Sequence, residues 1–147
     1  MRIEPVPCNP EVAALLAASG LPVDDLGKAA RLNLFGIREK GRLGGVVGID
    51  LHGNLALLRS LAVDATLRSA GYGRALVAHA EAWASRHQVE TVYLLTTSAA
   101  GFFGRLGYKT VPRTEAPPAI AGTTQFRETC PATAILMCKR GLRPTPM

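Results

Sequence analysis

The sequence predicts an α+β fold: a mixed α/β/α arrangement with a central sheet of six to seven strands and helices on both faces. Three apolar or alternating runs come first, separated by short turns that contain glycine. A helical pattern and another apolar strand follow. A strand, a helix and a second strand in succession imply a right-handed crossover to a parallel neighbour, so the sheet is expected to be mixed. The 147 residues are expected to form one domain, 1–147.

The N-terminal region predicts a capped helix. Asn9 can cap the helix, Pro10 fits its first turn, and Glu11 complements the positive end of the helix dipole. The apolar pattern then ends at Gly20, a residue type that commonly follows a helix. A weaker and shorter helical candidate comes next, in the stretch PVDDLGKAA.

From Arg31 the hydrophobic period changes from that of a helix to that of a strand. Three strands of an antiparallel meander are predicted here, joined by turns at KGR and HGN: RLNLFGIRE, LGGVVGIDL and LALLRSLAV. Further on, Leu76, Ala80 and Trp83 recur at helical spacing. The remaining predicted elements are a buried strand in TVYLLTT, a short helix in SAAGFFGRL, a strand in YKTVP, a loop with one helix in EAPPAIAGTTQFRETCP and a last strand in ATAILMCK.

Composition and charge exclude several classes of protein. Hydrophobic residues make up 48% of the chain, the net charge is +6 and the pI is near 9.7. The basic residues are scattered singly, so a small anionic ligand or simple solubility explains the charge, and we expect no nucleic-acid partner. No apolar run reaches the roughly 18 residues of a membrane span, and the prolines near the N-terminus do not fit a secretory signal. We therefore expect a cytoplasmic protein with no membrane partner.

Three cysteines, Cys8, Cys130 and Cys138, form no CxxC pair. Their odd number and wide spacing argue against a disulfide framework and a zinc site, so we expect no metal. Cys138 lies in an apolar run, where a buried structural role is the better interpretation.

The stretch RSAGYGRAL places Arg68, Gly71 and Gly73 between an apolar strand and a helical pattern. Successive N–H groups at a helix N-terminus can hold a pyrophosphate, and glycine is needed where φ is positive or a Cβ would collide. A Walker loop would need lysine after its second glycine, where this chain has Arg74. A Rossmann loop would need a third glycine or alanine at Leu76, so neither alternative fits.

Two segments carry a family resemblance. LLRSLAVDATLRSAGYGRALVAHAEAWA resembles the acetyl-CoA-binding core of the GNAT N-acetyltransferase superfamily, and LLTTSAAGFFGRLGYKTV resembles the strand, helix and closing glycine-aromatic pair that follow it. The resemblance spans roughly Leu32 to Val111. The second segment and the ending CPATAILMCK are also similar to the arsenic-resistance N-acetyltransferases, which are relatives of the phosphinothricin acetyltransferases.

The resemblance implies a GNAT fold in which the two central parallel strands splay apart. Acetyl-CoA would be the co-substrate, its pantetheine arm lying in the gap beside Leu61, Ala62 and Val63. Its pyrophosphate would lie on the backbone N–H groups of the glycine stretch, that is, of Arg68, Ser69, Ala70, Gly71, Tyr72, Gly73 and Arg74. Backbone N–H groups on the thioester carbonyl would stabilise the charge that develops there.

This sequence departs from the family pattern at two positions. Phe103 stands where the family often has a tyrosine acid, and Thr96 where it often has an asparagine. Phenylalanine cannot protonate the leaving thiolate. Phe102 and Phe103 are either core residues or residues that pack against the cofactor: the core is the better interpretation for Phe102, and Phe103 is predicted to contact the cofactor. A thiol with a pKa of about 8.5 leaves tolerably as thiolate, so an acid is helpful rather than essential. Thr96 and Ser98 are the weak candidates for that role.

Arg59 interrupts the apolar strand LALLRSLAV, where a charge is costly unless it is paired or faces an open cleft. Strand alternation places it on the face of Leu57 and Leu61. We interpret Arg59 as a clamp for an acceptor carboxylate or other oxyanion, with Ser60 beside it; a structural ion pair is the alternative.

The predicted function is therefore acetyl transfer to the primary amine of a small molecule. The acceptor is expected to be an amino-acid-like compound, with a toxic arsenical or phosphinic analogue as the narrower candidate. A homodimer is a candidate assembly. The rival prediction is a non-catalytic sensor that binds acyl-CoA, which the phenylalanine and the absence of a readable base favour.

Overall fold

The computed structural model describes residues 2–21, 32–67, 71–123 and 134–142. The helix predicted in PVDDLGKAA lies outside the described residues, as do the predicted site residues Arg68, Ser69 and Ala70. Across the described ranges, no helix is both long and apolar enough to cross a membrane.

The first four strands pair antiparallel in chain order, and the last three of them are the predicted meander. They are β1 (Ile3–Pro5), β2 (Leu32–Glu39), β3 (Arg42–His52) and β4 (Leu55–Val63). Gly41 and Gly53 occupy the two tight turns with φ values of 81° and 68°, a conformation that glycine adopts without steric cost. β1 extends the meander by one short strand that the sequence pattern did not predict.

The second half crosses over to the parallel strand β5 (Thr91–Thr96) through helix α2 (Tyr72–Arg86). Helix α3 (Ala100–Arg105), strand β6 (Lys109–Val111), helix α4 (Pro118–Ala121) and strand β7 (Ile135–Arg140) complete the described part of the chain. The seven described strands form one mixed sheet in the order β1-β2-β3-β4-β5-β7-β6, within the predicted range of six to seven.

Helices cover both faces of this sheet, because alternate residues of each strand point to opposite sides. On one face, α2 packs against Phe35 and Ile49, and Phe103 of α3 joins the same cluster. On the other face, helix α1 (Pro10–Ala18) packs against Leu34 and its neighbours, and Ile120 of α4 packs against Leu57 and its neighbours.

Helix α1 begins as predicted. The Asn9 side chain accepts a hydrogen bond from the Val12 N–H at 3.0 Å, and Pro10 is the first helical residue. Val12 and Leu16 are 1% and 0% exposed, so they are the residues that fix the helix to the sheet. Cys138 is buried in β7, in agreement with the structural role predicted for it.

Candidate functional site

The two parallel strands at the centre of the sheet separate after three residue pairs. The last pair joins Leu57 to Tyr93. Beyond it, β4 runs on to Val63 and β5 runs on to Thr96, without a further register pair among the described residues. A wedge-shaped gap therefore opens between β4 and β5, in the middle of the sheet, as predicted.

A β-bulge in β4 lies beside this gap. Gly48 pairs with Arg59 and Val46 with Ala62, so two steps along β3 correspond to three along β4. Ser60 has a φ of 58°, a left-handed conformation that residues with a Cβ seldom adopt. The bulge turns the backbone that follows Arg59 relative to the rest of the strand.

The bulge corrects one detail of the sequence interpretation. Simple alternation placed Arg59, Leu57 and Leu61 on one face. The register keeps Arg59 on the face of Leu57, but Leu61 packs against the core cluster of α2, on the opposite face. The extra residue in β4 shifts the alternation by one position, which reverses the side of every later residue.

The N-terminus of α2 lies at the end of the gap where β4 stops. Gly71 precedes the helix with a φ of 79° and, at the N-cap position, supplies no side-chain hydrogen bond to the first turn. The N–H groups of a helix's first turn have no partners within the helix, and the helix dipole makes this end positive. A pyrophosphate is the kind of group that such N–H groups bind. The predicted role of Gly71 and Gly73 in binding a pyrophosphate stays a prediction, and the residues before them, 68–70, lie outside the described ranges.

Gly73 also allows close packing at the mouth of the gap. A Cβ on Gly73 would lie 3.3 Å from the Phe102 ring and 4.0 Å from the Val63 side chain. Phe102 of α3 therefore lies against the first turn of α2, close to the end of β4. The sequence interpretation assigned Phe102 to the core, and the adjacent phenylalanine pair gave no signal to distinguish its two members.

Phe103, by contrast, points into the core. It is 7% exposed, and its ring packs edge-on against Phe102 and Tyr108, at centroid distances of 5.1 and 5.7 Å. Its predicted contact with the cofactor stays a prediction, and the geometry favours Phe102 for that contact.

Thr96 and Ser98 follow β5 on the other side of the gap. The Thr96 hydroxyl accepts a hydrogen bond from the Ala99 N–H at 2.9 Å, which fixes the direction of its own O–H. Ser98 is exposed. The predicted role of either as an acid stays a prediction, and only Thr96 is held in place by a contact.

Arg59 and Ser60 are both buried, at 5% and 8% exposure. The Arg59 Nε donates to the Ser60 Oγ at 3.1 Å. Asp50 of β3 is also buried and shares the face of Arg59, because Asp50 pairs with Leu57. A guanidinium suits a carboxylate because its planar set of N–H groups can donate two parallel hydrogen bonds to it.

His52, which could be considered as a base, is at the wrong end of the sheet. It pairs with Leu55, at the closed end of the gap. Leu61 lies six residues further along β4, a distance of roughly 20 Å at about 3.3 Å per residue. Direct proton transfer between His52 and a group beside Leu61 is excluded by this separation.

A family profile described as an acetyltransferase (GNAT) domain matches residues 30–110, which contain the gap, the bulge and the start of α2. The chain belongs to the GNAT acetyltransferase family. An uncharacterised N-acetyltransferase of Chlorobaculum tepidum is 42% identical over 82 residues. That match covers 55% of this chain and 52% of the relative, so the chain matches about half the length of this GNAT relative.

Solved GNAT structures share the whole fold at low sequence identity. The N-acetylglutamate synthase of Neisseria gonorrhoeae, complexed with coenzyme A and N-acetyl-glutamate, superposes with a TM-score of 0.77 at 18% identity, over 97% of this chain and 36% of that one. An aminoglycoside 6'-N-acetyltransferase complexed with coenzyme A gives a TM-score of 0.73 at 20% identity, over the full length of both chains. At such identities the likeness establishes the fold.

Proposed function

We propose that this protein is an acetyl-CoA-dependent N-acetyltransferase that acts on the primary amine of a small molecule. One observation carries the proposal: the gap between β4 and β5 runs directly to the uncapped N-terminus of α2. Coenzyme A has a long, thin arm that is joined to a pyrophosphate. It therefore needs an open gap for the arm that leads to a helix N-terminus for the pyrophosphate. The coenzyme A bound in the two structurally similar enzymes supports the same cofactor here.

In this proposal the arm of acetyl-CoA lies along Leu61, Ala62 and Val63, and strand N–H groups hold the thioester carbonyl. Those N–H groups stabilise the oxyanion that forms when the amine attacks. A C–N bond forms and the C–S bond breaks. The amine's proton is lost to water, and the coenzyme leaves as thiolate or thiol. Thr96 is the hydroxyl that we propose as the proton donor, since the Ala99 N–H holds its oxygen in place and leaves its O–H able to donate.

We propose further that the acceptor carries an oxyanion, as an amino acid does. The support is the buried Arg59–Ser60 pair at the bulge, on the sheet face opposite α2. A toxic arsenical or phosphinic analogue of an amino acid is the narrower candidate, and it rests on the likeness of the segment CPATAILMCK to the arsenic-resistance group. A cytoplasmic location and a homodimer stay predictions, as does the expectation that no metal, nucleic acid or membrane takes part.

The alternative is a non-catalytic acyl-CoA sensor. One observation favours it: Phe103 stands in the core where the family's acid is often found, so this chain offers no tyrosine there. The two functions differ in one measurable property, the release of thiol that depends on an acceptor.

The deciding experiment measures thiol release from acetyl-CoA with a panel of amines, paired so that each amino acid has a counterpart lacking the carboxylate. We expect release with the amino acids. Replacing Arg59 with alanine should raise KM for the carboxylate-bearing amines about 10- to 100-fold, since a charge-assisted pair contributes about 1.5–3 kcal/mol. The same variant should leave KM for the counterparts within about twofold.

Arg86→Ala is the matched control, because Arg86 is an exposed arginine at the far end of α2. Arg59→Lys keeps the charge and loses the fork, so it should recover part of the affinity. Equal losses on both kinds of amine would contradict the clamp. Tight coenzyme binding with no acceptor-dependent release across the panel would favour the sensor.

A further inference from the structure

The turn of the β2–β3 hairpin contacts both ends of the loop that leads from β4 to α2. We propose that this hairpin end positions the first turn of α2, with Glu39 acting through the Tyr72 hydroxyl to set the direction of the N–H groups of that turn. The inference rests on the proposed function, because it assumes that these N–H groups bind the pyrophosphate of acetyl-CoA. The positioning residue, Glu39, lies outside both the glycine stretch and the gap.

The start of the loop is held by the first residues of β3. The Asp64 N–H donates to the Gly44 carbonyl at 2.8 Å, and the Asp64 carboxylate lies 3.7 Å from the Arg42 guanidinium. The same carboxylate accepts from the Thr66 N–H at 2.9 Å. The Arg42 side chain is 83% exposed, so its ion pair with Asp64 contributes little to stability. The backbone hydrogen bond between Asp64 and Gly44 is therefore the main contact that holds the start of the loop.

The end of the loop is held by Tyr72, the first residue of α2. Its side chain is buried, and its hydroxyl donates to the Glu39 carboxylate at 2.5 Å. This hydrogen bond is the main reason that the pKa of Tyr72 is raised, with burial contributing next. The ring lies against Gly44, where an added Cβ would be 3.6 Å from it. Glu39 and Gly44 therefore fix Tyr72 from two neighbouring strands.

This hydrogen bond bears on the cofactor because the N-cap residue, Gly71, does not itself cap the helix. Gly71 has no Cβ and no side-chain hydrogen bond to the first turn. The orientation of the Tyr72 and Gly73 N–H groups thus depends on where the Tyr72 side chain is anchored. A rotation of this turn would misdirect the N–H groups toward the pyrophosphate while leaving the gap itself unchanged.

The same helix supplies a matched control. Tyr108 is also buried and its hydroxyl donates to Glu81 of α2 at 2.8 Å, with Lys139 on the other oxygen of that carboxylate. This tyrosine–glutamate pair contacts the middle of α2, away from its first turn. Tyr108→Phe removes one buried tyrosine hydrogen bond to α2, as Tyr72→Phe does, and it should not affect coenzyme A affinity.

The experiment compares Tyr72→Phe, Glu39→Ala and Tyr108→Phe with the wild type by calorimetric titration of coenzyme A. We expect the first two to raise Kd about three- to tenfold, the equivalent of one lost hydrogen bond, and Tyr108→Phe to leave it within about 1.5-fold. In turnover assays the first two should raise KM for acetyl-CoA with kcat unchanged. The double variant should bind no more weakly than either single one, because both remove the same interaction.

Two failures can be told apart. If the wild type does not bind coenzyme A, the proposed function fails and this inference fails with it. If the wild type binds but Tyr72→Phe and Glu39→Ala behave like Tyr108→Phe, the function stands and the positioning role is overturned. Glu39 is exposed, so Glu39→Ala tests the role even where Tyr72→Phe folds poorly.

Discussion

Glu11 joins the first turn of α1 to the same hairpin that carries Glu39. Its carboxylate accepts from the Leu43 N–H at 2.9 Å and from the Arg38 guanidinium at 3.1 Å. The Leu43 hydrogen bond, followed by that of Arg38, lowers the pKa of Glu11 below the usual 4.5. The ionised form is therefore the one that the folded protein favours.

The sign of the pH dependence follows from this shift. A carboxylate whose pKa is lowered in the folded state adds stability above its unfolded pKa and loses it as pH falls through the folded pKa. We expect Glu11→Gln to lower the melting temperature at pH 7 and to lose this difference as pH falls below about 4.5. Melting curves of both proteins from pH 7 to pH 3 check this. A difference that stays constant over that range would contradict the role of the charge.

Among the elements, the two long helices begin in opposite ways. Helix α1 has a side-chain cap from Asn9, whereas α2 begins at Gly71 without one. An ordinary structural helix is capped by its own sequence, while a helix that binds an anion leaves its first N–H groups for the ligand. The difference agrees with the proposal that α1 is a structural helix and that α2 binds the pyrophosphate.

Asn9→Ala should therefore lower the free energy of unfolding by about 1 kcal/mol, the usual contribution of a side-chain cap. Chemical denaturation measures this change, and coenzyme A affinity should stay as in the wild type. Asn9→Ser is the matched control, since serine caps equally well and should recover most of the loss. An Asn9→Ala variant as stable as the wild type would show that the Val12 contact adds nothing.

The elements and their order could be predicted from the sequence because each depends on local patterns. The Asn9–Pro10 start, the two glycine turns and the strand–helix–strand succession all held. The bulge at Ser60 could not be predicted, because a register slip depends on the partner strand rather than on β4 itself. For the same reason the side of Leu61 was wrong, and the distinct positions of Phe102 and Phe103 appear only when α3 is packed against α2.

For the whole molecule, the proposed cofactor would contact both halves of the sheet. The meander and α1 lie on one side of the gap, and β5, β7 and β6 on the other. A ligand that binds only the folded state stabilises it by mass action. Since the arm of acetyl-CoA would bridge β4 and β5, its binding should raise the stability of the chain as a unit.

At a free concentration of 100 times Kd, coenzyme A should stabilise the protein by about 2.7 kcal/mol. For a chain of this size that corresponds to a rise in melting temperature of about 5–10 °C. Differential scanning fluorimetry measures the shift, with inorganic pyrophosphate as the control ligand. Pyrophosphate can occupy the start of α2 but not the gap, so we expect it to give a smaller shift. No shift with coenzyme A would contradict the proposed site.

The short seam between β4 and β5 also bears on how solvent reaches the backbone. In most domains the amide hydrogens at the centre of the sheet exchange with solvent most slowly, and those at its edges most rapidly. Here the seam lies between the fourth and fifth of the seven strands in the sheet order and is closed by three pairs. The backbone amides of β4 and β5 beside this seam are therefore expected to exchange with deuterium faster than is usual at the centre of a sheet. A bound pantetheine arm would close the seam as an inserted strand does, and the slowest exchange would return to the centre.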